Sequence, residues 1–70
     1  MKATVSRVYV LIRHLPFVGG QIEGIFLSND SALKWLEEQV QNGEWCAFDA
    51  KYNTEIKEWD VKGGKYVTLR

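Results

Sequence analysis

The sequence predicts an α+β fold in which a small antiparallel sheet carries one helix on one face. Three observations lead to this prediction: a capped amphipathic helix at 28–43, an alternating apolar segment at 5–12, and a Gly63-Gly64 pair typical of a hairpin. The 70 residues form one domain, because so short a chain buries only about 60% of its unfolded surface and cannot supply two cores. The predicted order is β-β-α-β-β, and a short fifth strand is left open.

The first predicted strand runs from Val5 to Ile12. Its two alternating faces are both apolar: Val8, Val10 and Ile12 on one, and Val5, Tyr9 and Leu11 on the other. A strand with two apolar faces is typical of the interior of a sheet. We therefore expect this strand to be covered on both sides.

A turn and a second strand are predicted next. Residues 14–20 contain the only proline and a glycine pair, which favour a turn. Residues 21–27 form the second strand, paired antiparallel with the first because the connection is short. Its predicted faces are Ile22, Gly24 and Phe26, and Glu23, Ile25 and Leu27. Gly24 indicates a weak point, a bulge or a place of close packing.

The helix has matching start and stop signals. Ser28 or Asn29 can cap its N-terminus, Asp30 suits the positive end of the helix dipole, and Gly43 can close the other end. The apolar stripe consists of Ala32, Leu33, Leu36 and Val40, with Trp35 at its edge. Such spacing predicts that this stripe lies on the sheet.

Three further elements are predicted after the helix. Residues 45–48 suggest a third strand and residues 51–53 a turn. Residues 55–61 suggest a fourth strand, in which the apolar phase slips between Ile56 and Trp59 and predicts a bulge or a bend. The Gly63-Gly64 pair then predicts a two-residue turn into a short last strand at 66–69.

Charge and cysteine content restrict the environment and partners. Nine basic residues balance nine acidic ones, so the net charge is zero and favours neither nucleic acid nor an anionic membrane. The single cysteine suits a reducing compartment. The first eight residues are interrupted by Arg7 and show no signal-peptide pattern, and no transmembrane segment is apparent. We expect a cytoplasmic protein with no membrane partner.

Four segments carry a resemblance to known proteins: Tyr9-Val10-Leu11, residues 23–28, Ala32 with Trp35, and Ile56 with Trp59-Asp60-Val61. Together they resemble a group of small proteins of unknown function found in phage and prophage genomes and in scattered bacteria and archaea. The resemblance covers most of the chain and implies the β-β-α-β-β order and a phage accessory role. It implies no catalytic or binding residue. The loop at Phe17-Val18 departs from it, because this loop is more apolar than a plain turn.

Candidate catalytic residues do not form a convincing set. His14 is the only imidazole and could in principle act with Cys46 as a nucleophile pair. However, the apolar run 45–48 predicts that Cys46 is a buried, inert thiol, and His14 is expected in a loop or on the surface. We expect no enzymatic activity.

Acidic residues near the end of the chain raise the alternative of a metal or acid/base cluster. These are Glu55, Glu58 and Asp60. In a strand, Glu58 and Asp60 share one face and Glu55 points to the other, so solvated charges are the better interpretation. Glu37 and Glu38 are interpreted as the polar face of the helix, and neither glycine pair has a phosphate-loop motif. We expect no metal and no cofactor.

Nucleic-acid binding is the alternative function. Lys62, Lys65 and Arg70 cluster in sequence around Tyr66, and an aromatic ring beside cations can stack on a base while the cations neutralise phosphate. The competing interpretation is a hairpin kept soluble by its lysines.

Protein binding is the preferred function. Phe17 and Val18 occupy a predicted turn, where they either fold back over the helix end or anchor a partner. Trp35 and Tyr66 are further candidate contacts, and the strand at 66–70 could pair with a second copy to form a homodimer. We therefore predict a non-enzymatic interaction module. As a phage-type accessory protein, it would bind and modulate or inhibit a host or cognate protein, for example a component of a defence system.

Overall fold

The computed structural model describes residues 6–70, which form two helices and a four-stranded sheet. The elements are β1 (Arg7–Leu15), β2 (Gly19–Phe26), α1 (Asn29–Gln41), α2 (Ala47–Tyr52), β3 (Thr54–Asp60) and β4 (Lys65–Thr68). The predicted α+β class and antiparallel sheet are confirmed. Val5, the first residue of the predicted opening strand, lies outside the described residues. None of the helices within residues 6–70 is long and apolar enough to cross a membrane.

The sheet has the order β2-β1-β3-β4, and every neighbouring pair is antiparallel. β1 is therefore interior, as its two apolar faces predict. Both helices lie in the single connection between β2 and β3 and pack on one face of the sheet. The helices cover β1 on one side, where Leu11 is completely buried. On the opposite side Val10 is 7% exposed and Val8 and Ile12 are partly buried, so both sides of β1 are covered at least in part.

A bulge in β2 changes the predicted phase of that strand. Leu11 pairs with Gly24 and Ile12 pairs with Ile22, so Glu23 is the extra residue. This confirms the interpretation of Gly24 as marking a bulge. It also turns Ile22 away from the face of Phe26, contrary to the predicted alternation, because one inserted residue inverts the side-chain phase.

The core lies between the sheet and the helices. Leu11 and Ile56 are opposite each other in β1 and β3 and are both completely buried. The other buried members of this cluster are Ala32, Leu36, Trp45 and Ala50. The predicted helix stripe is confirmed, since Ala32 and Leu36 are buried and Leu33 and Val40 pack against the same cluster.

Both ends of α1 match their sequence signals. The Ser28 hydroxyl oxygen accepts a hydrogen bond from the Ser31 backbone N–H at 3.0 Å, so Ser28 is the N-cap. Gly43 has a φ of 77°, the left-handed conformation that closes a helix. These local signals specify the start and stop of α1 before any tertiary contact is considered.

The segment predicted as a third strand is instead the end of a loop and the start of α2. Cys46 is the N-cap of α2, and its sulfur accepts a hydrogen bond from the Asp49 backbone N–H at 3.4 Å. Cys46 is exposed, which corrects the prediction of a buried thiol. A four-residue apolar run is too short to separate helix from strand, and here the cap and the helix-forming Ala47 and Ala50 decide the outcome.

β3 is regular, although its sequence predicts a bulge or bend. Every residue from Thr54 to Asp60 pairs with β1 in an unbroken register. The apparent slip arises because Ile56 faces the core while Trp59 lies on the opposite face, and both faces of β3 carry an apolar residue. The turn that follows contains four residues, not two, because the Asp60 side chain accepts hydrogen bonds from the N–H groups of Lys62 at 3.0 Å and Gly63 at 3.2 Å.

Candidate protein-binding surfaces

The face of the sheet opposite the helices is rich in apolar side chains, and we call it the open face. The strand registers place on it Val8, Val10, Ile12, His14, Ile22, Ile25, Glu55, Lys57, Trp59, Tyr66 and Thr68. Ile22 and Ile25 are each 63% exposed, and Tyr66 is 49% exposed. Large exposed apolar patches on small proteins are typical of interaction surfaces.

Charges of both signs are embedded in the open face. The Glu55 carboxylate oxygen Oε1 lies 3.2 Å from Nε2 of His14 and 3.8 Å from Nζ of Lys57. Lys57 Nζ also lies 4.4 Å from the centre of the Tyr66 ring, and that ring packs on Trp59 with centroids 4.6 Å apart. The centre of the face therefore has one acidic and one basic side chain beside its aromatic pair.

Phe17 stands at the tip of the β1–β2 hairpin in an unusual conformation. The Val18 N–H donates to the Leu15 carbonyl oxygen at 3.3 Å, which closes a turn with Pro16 second and Phe17 third. Phe17 has a φ of 66°, a value that turns of this kind usually obtain from glycine or asparagine. A left-handed conformation costs a residue with a side chain about 1–2 kcal/mol.

Both apolar side chains of this turn extend into solvent. Phe17 is completely exposed, at 108% of its reference area, and Val18 is 71% exposed. Of the two alternatives for these residues, folding back over the helix end does not occur. The Phe17 backbone is strained and its ring is completely exposed, so the ring buries no surface that would stabilise the fold.

Trp35 is partly buried and packs against the core on the helix side of the sheet. Its ring packs against Phe26 with centroids 6.0 Å apart and meets Trp45 edge-to-face at 5.6 Å. The Arg13 guanidinium lies 4.4 Å from the centre of the Trp45 ring on the same side of the sheet. Trp35 is therefore explained by packing, and the structure does not bring it together with Phe17 or Tyr66.

The basic residues near the end of the chain do not converge on Tyr66. Tyr66 lies on the open face, whereas Lys65 precedes it in β4 and takes the opposite face. The Arg70 guanidinium donates to the carbonyl oxygens of Ala50 at 3.3 Å and Lys51 at 3.2 Å, which caps the end of α2. Lys62 lies in the β3–β4 turn. The predicted nucleic-acid set is thus divided between two faces and a turn.

The candidate nucleophile and base are also separated. His14 lies on the open face beside Glu55, while Cys46 precedes α2 on the helix side of the sheet. The Cys46 sulfur acts as a hydrogen-bond acceptor for a helix N-terminus. These two side chains therefore take part in unrelated local interactions.

The acidic residues of β3 divide as their alternation predicts. Glu58 accepts a hydrogen bond from the Tyr9 hydroxyl at 2.7 Å and lies 3.6 Å from Arg7, on the helix side of the sheet. The hydrogen bond to Glu58 raises the pKa of Tyr9. Glu55 lies on the other face, and within residues 6–70 no three His, Cys, Asp or Glu side chains are grouped so as to hold a metal ion.

A shallow apolar groove lies between α1 and α2. Its volume is about 370 Å³, and its lining residues are Leu33, Leu36, Glu37, Val40, Ala47, Ala50, Lys51 and Arg70. The rings of Phe48 and Tyr52 contact each other on α2 at an interplanar angle of 45° with centroids 4.8 Å apart, and both are exposed. Sequence reasoning missed this region because residues 45–48 were predicted as a strand and residues 51–53 as a turn, although the four-residue spacing of the two rings is a helical signal.

Comparisons with protein families, with curated proteins and with solved structures gave no significant match. The resemblance to small phage and prophage proteins therefore stays a prediction.

Proposed function

We propose that the protein is a non-enzymatic protein-binding module in which the Phe17–Val18 turn anchors a partner. The observation that supports this most directly is the Phe17 side chain, which is completely exposed while its backbone has a φ of 66°. Strained backbone that the fold does not need is a common property of binding sites. A glycine at position 17 would relieve the backbone strain. The presence of phenylalanine there would be explained if its ring makes a contact with a partner.

The chemistry of the turn indicates the kind of partner site. A phenyl ring beside a β-branched side chain fits an apolar pocket on another protein, and a few such anchors commonly dominate an interface. The net charge of zero gives little long-range attraction to a charged partner. Burial of the ring, more than electrostatic steering, would therefore supply the affinity.

The biological role that we propose is that of an accessory protein that modulates or inhibits a host or cognate protein. The resemblance to phage and prophage proteins and the absence of a recognised catalytic motif in the sequence support this role. A component of a host defence system is one such target. In this role the protein would act by occupying a surface of its partner in a stoichiometric complex, with neither turnover nor a cofactor.

The test compares capture of a partner by matched variants. Wild-type protein, the double variant Phe17→Ser with Val18→Ser, and the control Val61→Ser are used as baits, because Val61 is a 56% exposed apolar residue at the other hairpin turn. The partner captured by wild type is then purified and titrated calorimetrically. We expect about 30-fold weaker binding for the double variant, the effect of losing one hot spot of about 2 kcal/mol, and unchanged binding for the control. Equal affinity of all three proteins would contradict the proposal.

Nucleic-acid binding has weaker support. Of its four proposed residues, Arg70 caps α2, while Lys65 and Tyr66 take opposite faces of β4. The test is a fluorescence titration with single-stranded DNA and RNA at low salt, using Lys62→Glu with Lys65→Glu. Binding that is lost in this variant and weakens with rising salt would favour the alternative over protein binding.

A further inference from the structure

The open face has the composition of a surface that pairs with another sheet. Its accessible apolar members extend across three of the four strands, from Ile22 and Ile25 in β2 through Val8 and Ile12 in β1 to Trp59 in β3, while Val10 between them is buried. The described molecule is also thin, with extents of 42 × 26 × 15 Å, because one sheet and one helix layer make up its depth. Two sheets that bury such faces against each other pack about 10 Å apart.

We propose that the open face binds a second copy of this chain, so that two sheets stack face to face between outer layers of helices. The charge pattern of the open face supports this pairing. Glu55 and Lys57 are two residues apart on the same strand and face, with Nζ of Lys57 3.8 Å from Oε1 of Glu55. A two-fold axis passing between these positions brings Glu55 of each copy towards Lys57 of the other, as an isologous interface requires.

The available area also supports this pairing. The four strands are nine, eight, seven and four residues long. With about 3.4 Å per residue and about 4.8 Å between strands, they give a face of about 460 Å² in projection. Side-chain relief makes the accessible area larger than the projected area. The face therefore approaches the ~800 Å² per partner that a stable complex buries.

A copy of the same chain also fits the charge balance better than a strongly charged partner does. The chain has a net charge of zero, and the open face combines Glu55 with Lys57 and His14. An acidic partner would place a like charge against Glu55, and a basic partner would place a like charge against Lys57. Like charges that face each other are unfavourable in a desolvated interface. A second copy supplies both signs in equal number.

The first test measures mass in solution for two variants on opposite faces. Ile25→Glu alters the open face, whereas Val67→Glu alters a 55% exposed residue on the other side of β4. We expect wild type and Val67→Glu to sediment at about twice the 8.1 kDa chain mass, and Ile25→Glu to sediment as a monomer with an unchanged circular dichroism spectrum. A wild type that is monomeric at millimolar concentration would overturn the proposal, and so would dissociation by Val67→Glu but not by Ile25→Glu.

The second test uses charge exchange and does not depend on an apolar substitution. Lys57→Glu gives the face two acidic groups, and Glu55→Lys gives it two basic groups. Each variant alone should dimerise about tenfold or more weakly than wild type, because like charges oppose each other across the two-fold axis. An equimolar mixture should form a heterodimer and recover the wild-type mass. Failure of the mixture to associate more tightly than either variant alone would overturn the proposed pairing.

This inference is independent of the proposed anchor. The dimer test uses purified protein and the open face, whereas the anchor test uses the Phe17–Val18 turn and a second protein. A dimer with no Phe17-dependent partner, or a monomer with one, would show which of the two proposals fails.

Discussion

The ring of Phe26 lies directly over Gly24, so that a Cβ atom at Gly24 would be 2.9 Å from Cε2 and 3.0 Å from Cζ of that ring. Phe26 in turn packs against Trp35, and both rings are partly buried against the core cluster. We predict that Gly24→Ala lowers the free energy of unfolding by about 1–3 kcal/mol, the usual cost of overpacking. Urea denaturation followed by tryptophan fluorescence measures this change.

A second substitution identifies the clash as the cause. Phe26→Leu removes the part of the ring that meets the new methyl group, so the cost of Gly24→Ala should be smaller in the Phe26→Leu background than in wild type. The double-mutant cycle then gives a favourable coupling energy. Strictly additive costs would show that backbone entropy or the bulge, not contact with the ring, determines the effect.

Phe17→Gly should raise stability, in contrast to most substitutions. Phe17 has a φ of 66°, and glycine adopts this conformation without steric cost. Relief of about 1–2 kcal/mol of strain, less the larger entropy of glycine in the unfolded chain, predicts a gain of about 0.5–1 kcal/mol. Thermal denaturation would detect it. Destabilisation by this variant would mean that the ring makes intramolecular contacts that support the fold.

Acid should remove a stabilising contribution of Asp49. The Asn53 side-chain amide donates to Asp49 Oδ1 at 2.7 Å and lowers the pKa of that carboxyl from its usual 3.8, with Arg13 3.5 Å from the other oxygen. Because the folded-state pKa is lowered, the contribution is present above about pH 4 and is lost as the pH falls through the folded-state value. We predict that Asp49→Asn lowers the urea midpoint at pH 7 and that its difference from wild type shrinks towards pH 2. A difference that is constant with pH would contradict this.

The two faces of the sheet should respond differently to loss of apolar volume. Leu11→Ala removes a completely buried side chain and should cost about 2–5 kcal/mol, a large part of the ~4–10 kcal/mol expected for a chain of this length. Ile25→Ala, on the open face, should change the stability of the monomer by about 0.5 kcal/mol or less. Both are measured by urea denaturation at submicromolar protein concentration, so that self-association does not contribute. Equal costs would mean that the open face is covered in the monomer.

Local signals predicted the parts of the fold that local chemistry determines. Ser28, Gly43 and the stripe ending at Val40 specified α1, because capping and helical spacing act within the element itself. The region 45–52 was mispredicted because its outcome depends on the Cys46 cap and on burial of Ala50, which a four-residue apolar run does not reveal. The bulge at Glu23 was indicated only by the neighbouring Gly24.

Of the two candidate surfaces, the sequence predicted the Phe17–Val18 turn but not the open face. Phe17 and Val18 were identified because apolar residues in a turn are unusual. The open face was not recognised, although the apolar residues Val8, Val10 and Ile12 were noted, since alternation shows that a strand has two apolar faces but not how many layers are available to cover them. Arg70 and Tyr66 are close in sequence, and only the structure shows that Arg70 binds the end of α2 while Tyr66 lies on the open face.

The pairing of β1 with β3 has a consequence for synthesis of the protein. It joins Arg7 to Asp60 and Arg13 to Thr54, so the central ladder connects early residues with late ones. The β1–β2 hairpin can close while the chain is still being translated, but Leu11 can meet Ile56 only after β3 has left the ribosome. Until then only the two helices can cover the core side of the hairpin, and one edge of β1 has no strand to pair with, so the nascent chain is vulnerable to aggregation and to capture by chaperones.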